Sequence, residues 1–248
     1  MRVQPLEAIL FDFSYTLFRP EEGSTWVRRA GERVGAALDD GEAVQIAGKI
    51  ERLFLEPEHA ERQVGRDLSA EAHRTAVGSV LESVEETIEG LGQALYERLI
   101  EPDAWAPYSD ARPVLRALKR AGCRTGVVSN IGWDIRANFA HYGLTEFVDG
   151  FTLSFEHGLE KPDPALFEAA CHALQASPSA TIMVGDNPLA DGGAVHAGLG
   201  VYLLPGAGSP GRAAMFGTDT ASDSRGLARV LDLVSASYVT DEERPASG

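Results

Sequence analysis

Ala8-Ile9-Leu10-Phe11-Asp12-Phe13-Ser14-Tyr15-Thr16-Leu17-Phe18 is the stretch that decides the fold. Its first four residues are apolar without alternation. Such a run reads as a strand buried on both faces, the usual state of a parallel sheet covered by helices. Strands of that kind deliver a polar residue at their carboxyl end, where open α/β sheets bind ligands. Here that residue is Asp12. A lone strand-end aspartate is more often a turn or cap residue than a catalytic one, so the rest of the chain must supply its company.

Three further apolar runs read as strands, each followed by small or polar residues: Thr125 to Val128 before Ser129-Asn130, Ala180 to Val184 before Gly185-Asp186, and Gly200 to Leu204 before Pro205. Helical patterns separate them. Ala111 to Lys119 has Pro113 early and Gly122 beyond its end. Pro164 to Leu174 is the second. Strands alternating with helices of this length imply βαβ units and a doubly wound, Rossmann-type parallel sheet.

Residues 19–105 break that rhythm. Trp26, Ala30, Val34 and Ala37 recur at helical spacing, and so do Ile46, Ile50 and Leu53-Phe54, then Val77, Val80-Leu81 and Val84, then Leu91, Leu95 and Leu99. No strand is evident among them. The expected organisation is therefore a core of residues 1–18 and 106–238, an inserted α-helical cap domain over 19–105, and a polar, disordered tail over 239–248.

Composition narrows the class of function. The 248 residues carry a formal charge of −15, which argues against nucleic acid or an anionic membrane as the main partner. No run approaches transmembrane length, and the apolar stretch near the start is too short for a secretion signal. The only two cysteines, Cys123 and Cys171, lie in core-like segments, which suits reduced thiols and a cytoplasmic location better than a disulfide framework. A monomer or homodimer is expected.

Asp12, Ser129, Lys161 and Asp186 thus fall at strand ends or just before a helix, and a parallel sheet brings such ends to one crevice. Two carboxylates with backbone oxygens suit Mg²⁺, a hard cation. A hydroxyl and an ammonium suit a phosphate. An aspartate poised against that phosphate can attack phosphorus and form an acyl phosphate.

The motifs, taken in order, resemble those of the haloacid dehalogenase superfamily with a helical cap inserted after the first strand. Phe11-Asp12-Phe13-Ser14-Tyr15-Thr16 resembles the first motif, D-x-D-x-T. Val127-Val128-Ser129-Asn130 resembles the second. Gly158 to Phe167 is similar to the third, and Val184 to Gly198 to the fourth. The resemblance implies that Asp12 is the nucleophile and a Mg²⁺ ligand, and that Thr16 supports the loop. It implies that Ser129 and the Asn130 backbone hold the phosphate of a small phosphorylated substrate, and that Lys161 stabilises its charge. Asp186 would bind the metal, Asp191 would support it, and the Ser14 backbone carbonyl would be a further ligand.

Ser14 departs from the pattern. The family's phosphatases carry there an aspartate that protonates the leaving oxygen and then activates water, work that is typically worth about 10² to 10⁴ in rate. A serine does neither near neutral pH. Related branches place threonine, alanine or tyrosine at this position. The threonine branch, of membrane ATPases, is excluded by the absent span. The tyrosine branch, the dehalogenases, lacks the Gly-Asp metal motif that Asp186 completes here. The alanine branch, the phosphonatases, uses a cap lysine as a Schiff base, and Lys49 is the one lysine of the insertion, although a surface role is the simpler reading. His157 is a candidate substitute acid, with a solvated loop histidine as the plainer reading. Tyr15 could reach toward the cap or simply pack. The expected activity is a Mg²⁺-dependent phosphatase-type hydrolase acting through Asp12. The alternatives are a phosphonatase, an acyl-phosphate hydrolase, or a non-catalytic binding protein of the same fold.

Overall fold

The apolar run Ala8–Phe11 forms β1, and all four residues are buried. It lies at the centre of a five-stranded sheet. A computed structural model describes residues 5–84, 88–205 and 223–237. β1 pairs in parallel with two strands. On one side is Arg124–Ser129, on the other Thr181–Gly185. These continue outward to Gly150–Leu153 and Gly200–Leu203, again in parallel.

Numbered along the chain, with β2 (Phe18–Pro20) and β3 (Trp105–Pro107) outside this sheet, the strands are β4 (Arg124–Ser129), β5 (Gly150–Leu153), β6 (Thr181–Gly185) and β7 (Gly200–Leu203), in spatial order β5-β4-β1-β6-β7. Chain order reverses on either side of β1, so the crevice opens at its carboxyl end.

The period-2 geometry of β1 assigns its side chains to two cores. Ala8 and Leu10 pack with Leu166, Phe167, Ala170 and Leu174 of a helix on one face, and Ile9 and Phe11 with Leu115, Leu118, Val230 and other residues on the opposite face. Gly126 in β4 is where the first core closes: a Cβ there would come within 2.8 Å of Leu10 and 2.9 Å of Leu174.

Among the described residues between β2 and β3 the chain forms five α-helices, α1 (Gly23–Arg33), α2 (Asp40–Leu55), α3 (Pro57–Arg62), α4 (Ala70–Glu82) and α5 (Leu91–Leu99). The core helices are α6 (Ala111–Arg120), α7 (Arg136–His141), α8 (Ser154–His157), α9 (Pro164–Leu174) and α10 (Arg229–Ser237). Asp39 opens α2 with a reciprocal capping box to Glu42, which satisfies two otherwise orphaned N–H groups. Trp26 anchors α1 to α5 by donating its indole N–H to the Leu95 carbonyl at 3.1 Å.

The structure corrects the sequence reading in three places. Strands do border the insertion: β2 and β3 pair antiparallel, so the chain leaves and re-enters the core through a two-stranded stem. Three-residue strands ending in proline carry no alternation to read. Arg98, 3% exposed, ties the same stem by donating to Glu21 at 2.6 Å and Asp103 at 2.6 Å. Second, α1 ends at Arg33 with Val34 as its C-cap, and Ala37 lies past Gly35, whose left-handed φ of +76° takes the chain out of the helix. Third, the sheet has a further edge strand, β5, whose four residues include Gly150 and Thr152 and so carry no continuous apolar signal. The tail at 239–248 lies outside the described residues. Cys123 and Cys171 are both free and buried. Among the described residues no helix is long and apolar enough to cross a membrane.

Candidate active site

Asp12 follows β1 directly, and its N–H donates to the Val184 carbonyl of β6 at 2.9 Å, so the sheet fixes where its carboxylate begins. Lys161 comes from the loop before α9. Its ammonium, almost fully buried, lies 2.9 Å from Asp12 Oδ1 and donates to Asp191 Oδ1 at 2.6 Å. Asn130, just past β4, holds the lysine's backbone from both sides: Lys161 N–H donates to Asn130 Oδ1 at 2.7 Å, and Asn130 Nδ2 donates to the Lys161 carbonyl at 2.9 Å. Asp191 Oδ2 accepts the Asn187 N–H at 2.9 Å. This packing requires Gly185, because a Cβ there would lie 2.1 Å from Asp191 Oδ2.

One oxygen from each of Asp12, Asp186 and Asp191 falls within 4.8 Å of the others, and all three residues are buried. The electrostatic consequence is visible in their acidities. Burial pushes Asp12 up to about 6, against the opposing pull of Lys161. Burial, then the charges of Asp12 and Asp191, push Asp186 up to about 7. Lys161 is held protonated: its two carboxylate partners more than offset its desolvation. Three carboxylates against one ammonium leave an excess of buried negative charge, and an oxygen-only donor set of this kind fits a hard divalent cation such as Mg²⁺.

The other sequence candidates fall as follows. Ser14 is half-buried and lines a cavity of about 900 Å³ above Asp12. Tyr15 lines it too, in the left-handed region at φ 53°, with its carbonyl accepting from Arg225 Nε. Thr16 is fully buried beneath the loop, and its hydroxyl has no hydrogen-bond partner among the described residues. Ser129 is buried at the end of β4, outside the cavity wall, which Asn130 and Ile131 form there. Lys49 is not brought to the site. It lies outside that wall, and its ammonium donates to the Ser83 carbonyl at 3.2 Å. His157 is exposed at the end of α8 and is likewise outside the wall. Neither side chain lines the cavity above Asp12.

Sequence reasoning passed over most of the cavity wall. Arg66, Asp67 and His73 reach it from the insertion, Trp105 from β3, Trp133 from the loop after β4, and Glu160 from beside Lys161. The insertion is latched to the core here. Asp67 N–H donates to Glu160 Oε1 at 2.9 Å, Ser154 Oγ donates to the Asp67 carbonyl at 2.6 Å, and Ser154 Oγ also accepts the Ile131 N–H at 2.9 Å. Buried His73 has Nδ1 3.0 Å from the Tyr96 hydroxyl, and burial with Arg66 and Arg74 nearby lowers it to about 3, so it is neutral at physiological pH.

A central parallel strand ending in aspartate, a buried lysine bridging two carboxylates and a third carboxylate close by form a charged ligand crevice of an open α/β sheet. The family model of the haloacid dehalogenase-like hydrolases matches residues 6–198, and the chain belongs to that family. A haloacid dehalogenase-like hydrolase domain-containing protein 3 of Bos taurus is 30% identical over 117 residues, 47% of each chain. A ribulose-1,5-bisphosphate 5-phosphatase of Halopiger xanaduensis is 33% identical over 116 residues, 46% of this chain and 48% of that one. The matched region thus spans about half the length of these curated relatives. Among solved structures, a dehalogenase in an intermediate complex superposes with a TM-score of 0.65 at 23% identity, covering 94% of this chain and 98% of the other. That likeness establishes the shared fold.

Proposed function

We propose that this hydrolase is a Mg²⁺-dependent phosphohydrolase that works through an aspartyl phosphate on Asp12 and acts on small phosphorylated molecules whose leaving group needs no proton. The observation that carries the proposal is the buried cluster itself: Asp12, Asp186 and Asp191 around Lys161, at the carboxyl end of β1. The phosphatase-named relatives support a phosphoryl substrate.

Asp12, Asp186, Asp191 and the Ser14 carbonyl would hold the metal. When bound, Mg²⁺ supplies positive charge against the clustered carboxylates and the substrate phosphate. The chain's residues do the rest. With a pKa near 6, Asp12 is ionised at neutral pH and can attack phosphorus. Lys161 is protonated and already 2.9 Å from the attacking carboxylate, so it meets the charge that develops on the phosphoryl oxygens. Asn130 holds Lys161 in place. The leaving group departs with the electron pair of the broken P–O bond. Ser14 gives it no proton, so stable anions leave and alkoxides do not. Water then opens the acyl phosphate and regenerates Asp12. The insertion over residues 19–105 would act as a cap that closes the cavity from above and excludes bulk water.

The test is hydrolysis of acetyl phosphate, whose leaving group is a weak base. Turnover should need Mg²⁺ and fall by at least about 10³ in Asp12→Asn and by about 10² or more in Asp186→Asn. Hydrolysis that persists in Asp12→Asn, or that ignores added metal, would overturn the proposal.

A further inference from the structure

The cavity above Asp12 has a charged floor and an apolar lip. Asp12, Lys161 and Asp186 are buried at its base. Leu55, Val64 and Leu189 also line it, and they are 64%, 84% and 83% exposed. They come from three separate segments: the last residue of α2, the turn after α3 and the loop after β6. Half-buried Phe54 and exposed Pro188 stand beside them in the same wall. Single exposed apolar residues are ordinary, but a group of them at the mouth of a buried charged site marks a surface that a ligand covers.

The lip is not covered by the fold itself. The insertion is already latched to the core, with Asp67 N–H donating to Glu160 Oε1 at 2.9 Å and Ser154 Oγ to the Asp67 carbonyl at 2.6 Å. Val64 lies just before this latch and still faces solvent. Leu189 is held outward by the backbone of its turn: Asn187 Oδ1 accepts the N–H groups of Leu189 and Ala190 at 3.0 and 3.1 Å, so the turn needs nothing from the leucine side chain. Among the described residues the cations of the wall are Lys161 and Arg66. Arg66, with Nε 3.5 Å from Asp67 Oδ2, is the group that a second anion on the substrate would seek. An anion that reached it would also meet Asp67 and Glu160, whereas the lip side chains carry no charge. Ser14 sets an independent limit. Without an acid there, the leaving group must be stable as an anion, and a carboxylate, whose acid has a pKa of about 4, meets that requirement.

Resting on the phosphohydrolase reading above, we propose that the substrate class is an acyl phosphate with an aliphatic tail, its phosphoryl group at Asp12 and its tail running out along Leu55, Val64 and Leu189. In the reaction Asp12 Oδ bonds to phosphorus while the bond from phosphorus to the acyl oxygen breaks. The aliphatic carboxylate leaves with the electron pair and takes no proton. Water then attacks phosphorus, Asp12 regains its carboxylate, and the two protons of the water pass to the released phosphate and to solvent. Leu55, Val64 and Leu189 are specificity-determining residues that touch the tail and not the reacting atoms.

The test is kcat/KM of the full chain, with Mg²⁺, on acetyl, butyryl, hexanoyl and octanoyl phosphate below micelle formation. The acidity of the leaving group is nearly constant along this series, so the apolar contact is what changes. Full burial of a methylene is worth about fourfold and a half-open lip about twofold, so octanoyl phosphate should exceed acetyl phosphate by about 30- to 100-fold. Val64→Ser combined with Leu189→Ser changes exposed side chains outside the core, and should cut that ratio about tenfold. Calorimetric titration of ethyl-, octyl- and 7-carboxyheptylphosphonate reads the same site without chemistry. Octylphosphonate should bind about 30- to 100-fold tighter than ethylphosphonate, and about 10-fold tighter than the carboxylated compound of equal length. A flat tail-length series, a preference that survives the double variant, or a carboxylated tail that binds as tightly as the octyl one, which would make Arg66 an anion subsite, overturns this inference. Asp12-dependent turnover without a tail preference removes the aliphatic assignment alone. A tail preference in phosphonate binding without any turnover removes the hydrolase reading and leaves the tail site standing. Absence of both turnover and phosphonate binding overturns both.

Discussion

Gly185→Ala is the smallest change that should dismantle the charge cluster. The added Cβ would lie 2.1 Å from Asp191 Oδ2, 2.2 Å from its Cγ and 2.7 Å from its Cβ. Real contacts of this kind do not fall below 3.0 Å, so the Asp191 carboxylate must retreat by about 1 Å. It has no slack. Oδ1 holds Lys161 at 2.6 Å and Oδ2 holds the Asn187 N–H at 2.9 Å, inside a residue with no exposed surface. A retreat of about 1 Å takes both contacts beyond hydrogen-bond range. Breaking one partner from a buried ion pair costs about 3–5 kcal/mol, and Lys161 keeps Asp12 as its second partner, so a loss of about 2–3 kcal/mol is expected. Displacing Lys161 by a similar distance should lower kcat/KM for acetyl phosphate by about 10². The assays are urea denaturation and Mg²⁺-dependent turnover, with denaturation repeated in an Asp191→Gly background. There all three close contacts are gone, and the added methyl should cost less than about 1 kcal/mol. A Gly185→Ala protein within about 0.5 kcal/mol and threefold of wild type would refute the idea that Asp191 is held rigidly against Lys161.

Three further outcomes are expected. His73 is depressed to about 3 in the folded chain against 6.5 unfolded, so the unfolded state takes up the proton first. Stability should fall by up to about 4 kcal/mol as pH drops from 6.5 toward 3, a loss that urea denaturation of His73→Gln at matched pH should lack, while the raised carboxyl of Asp67 acts with the opposite sign in both proteins. Mg²⁺ at a hundredfold over its dissociation constant should stabilise the fold by about 2.7 kcal/mol with release of protons from Asp12 and Asp186; thermal melts of Asp186→Asn that rise equally with Mg²⁺ would contradict that ligand set. Ser14→Asp should raise kcat/KM on alkyl phosphates by up to about 10² to 10⁴ and flatten the dependence on leaving-group pKa; a wild type that already hydrolyses alkyl and aryl phosphates equally would show that another group delivers the proton.

The sheet and its charged cluster were legible because both are written locally. Each buried strand is a short apolar run; Asp12, Asn130 and Asp186 sit at or just beyond the end of one, and Lys161 sits in the loop before α9, so a parallel arrangement brings them to one crevice. The edge strand β5 lacked that signal, since Gly150 and Thr152 interrupt its apolar residues. The cavity wall was illegible for a different reason. Arg66, Asp67 and His73 sit in a helical insertion where polar residues normally mean a solvated face, and only tertiary packing turns them inward. Trp105 and Trp133 come from separate segments that look like ordinary core aromatics. Gly132 is the trace that could have pointed there: a Cβ at that position would lie 2.1 Å from the His73 Cβ, so a residue without a side chain marks where the insertion meets the core.

The serine at position 14 and the intact charge cluster constrain each other. A cluster that had lost its purpose would have no reason to keep Lys161 buried between two carboxylates, since isolated buried charges are costly and apolar replacements commonly stabilise. On the proposed reading, the cluster's presence fits attack by Asp12. Loss of the acid beside it then restricts what can be expelled, and does not abolish expulsion. On the proposed reading, changes at Asp12 or Lys161 should therefore remove turnover of every substrate, whatever its leaving group.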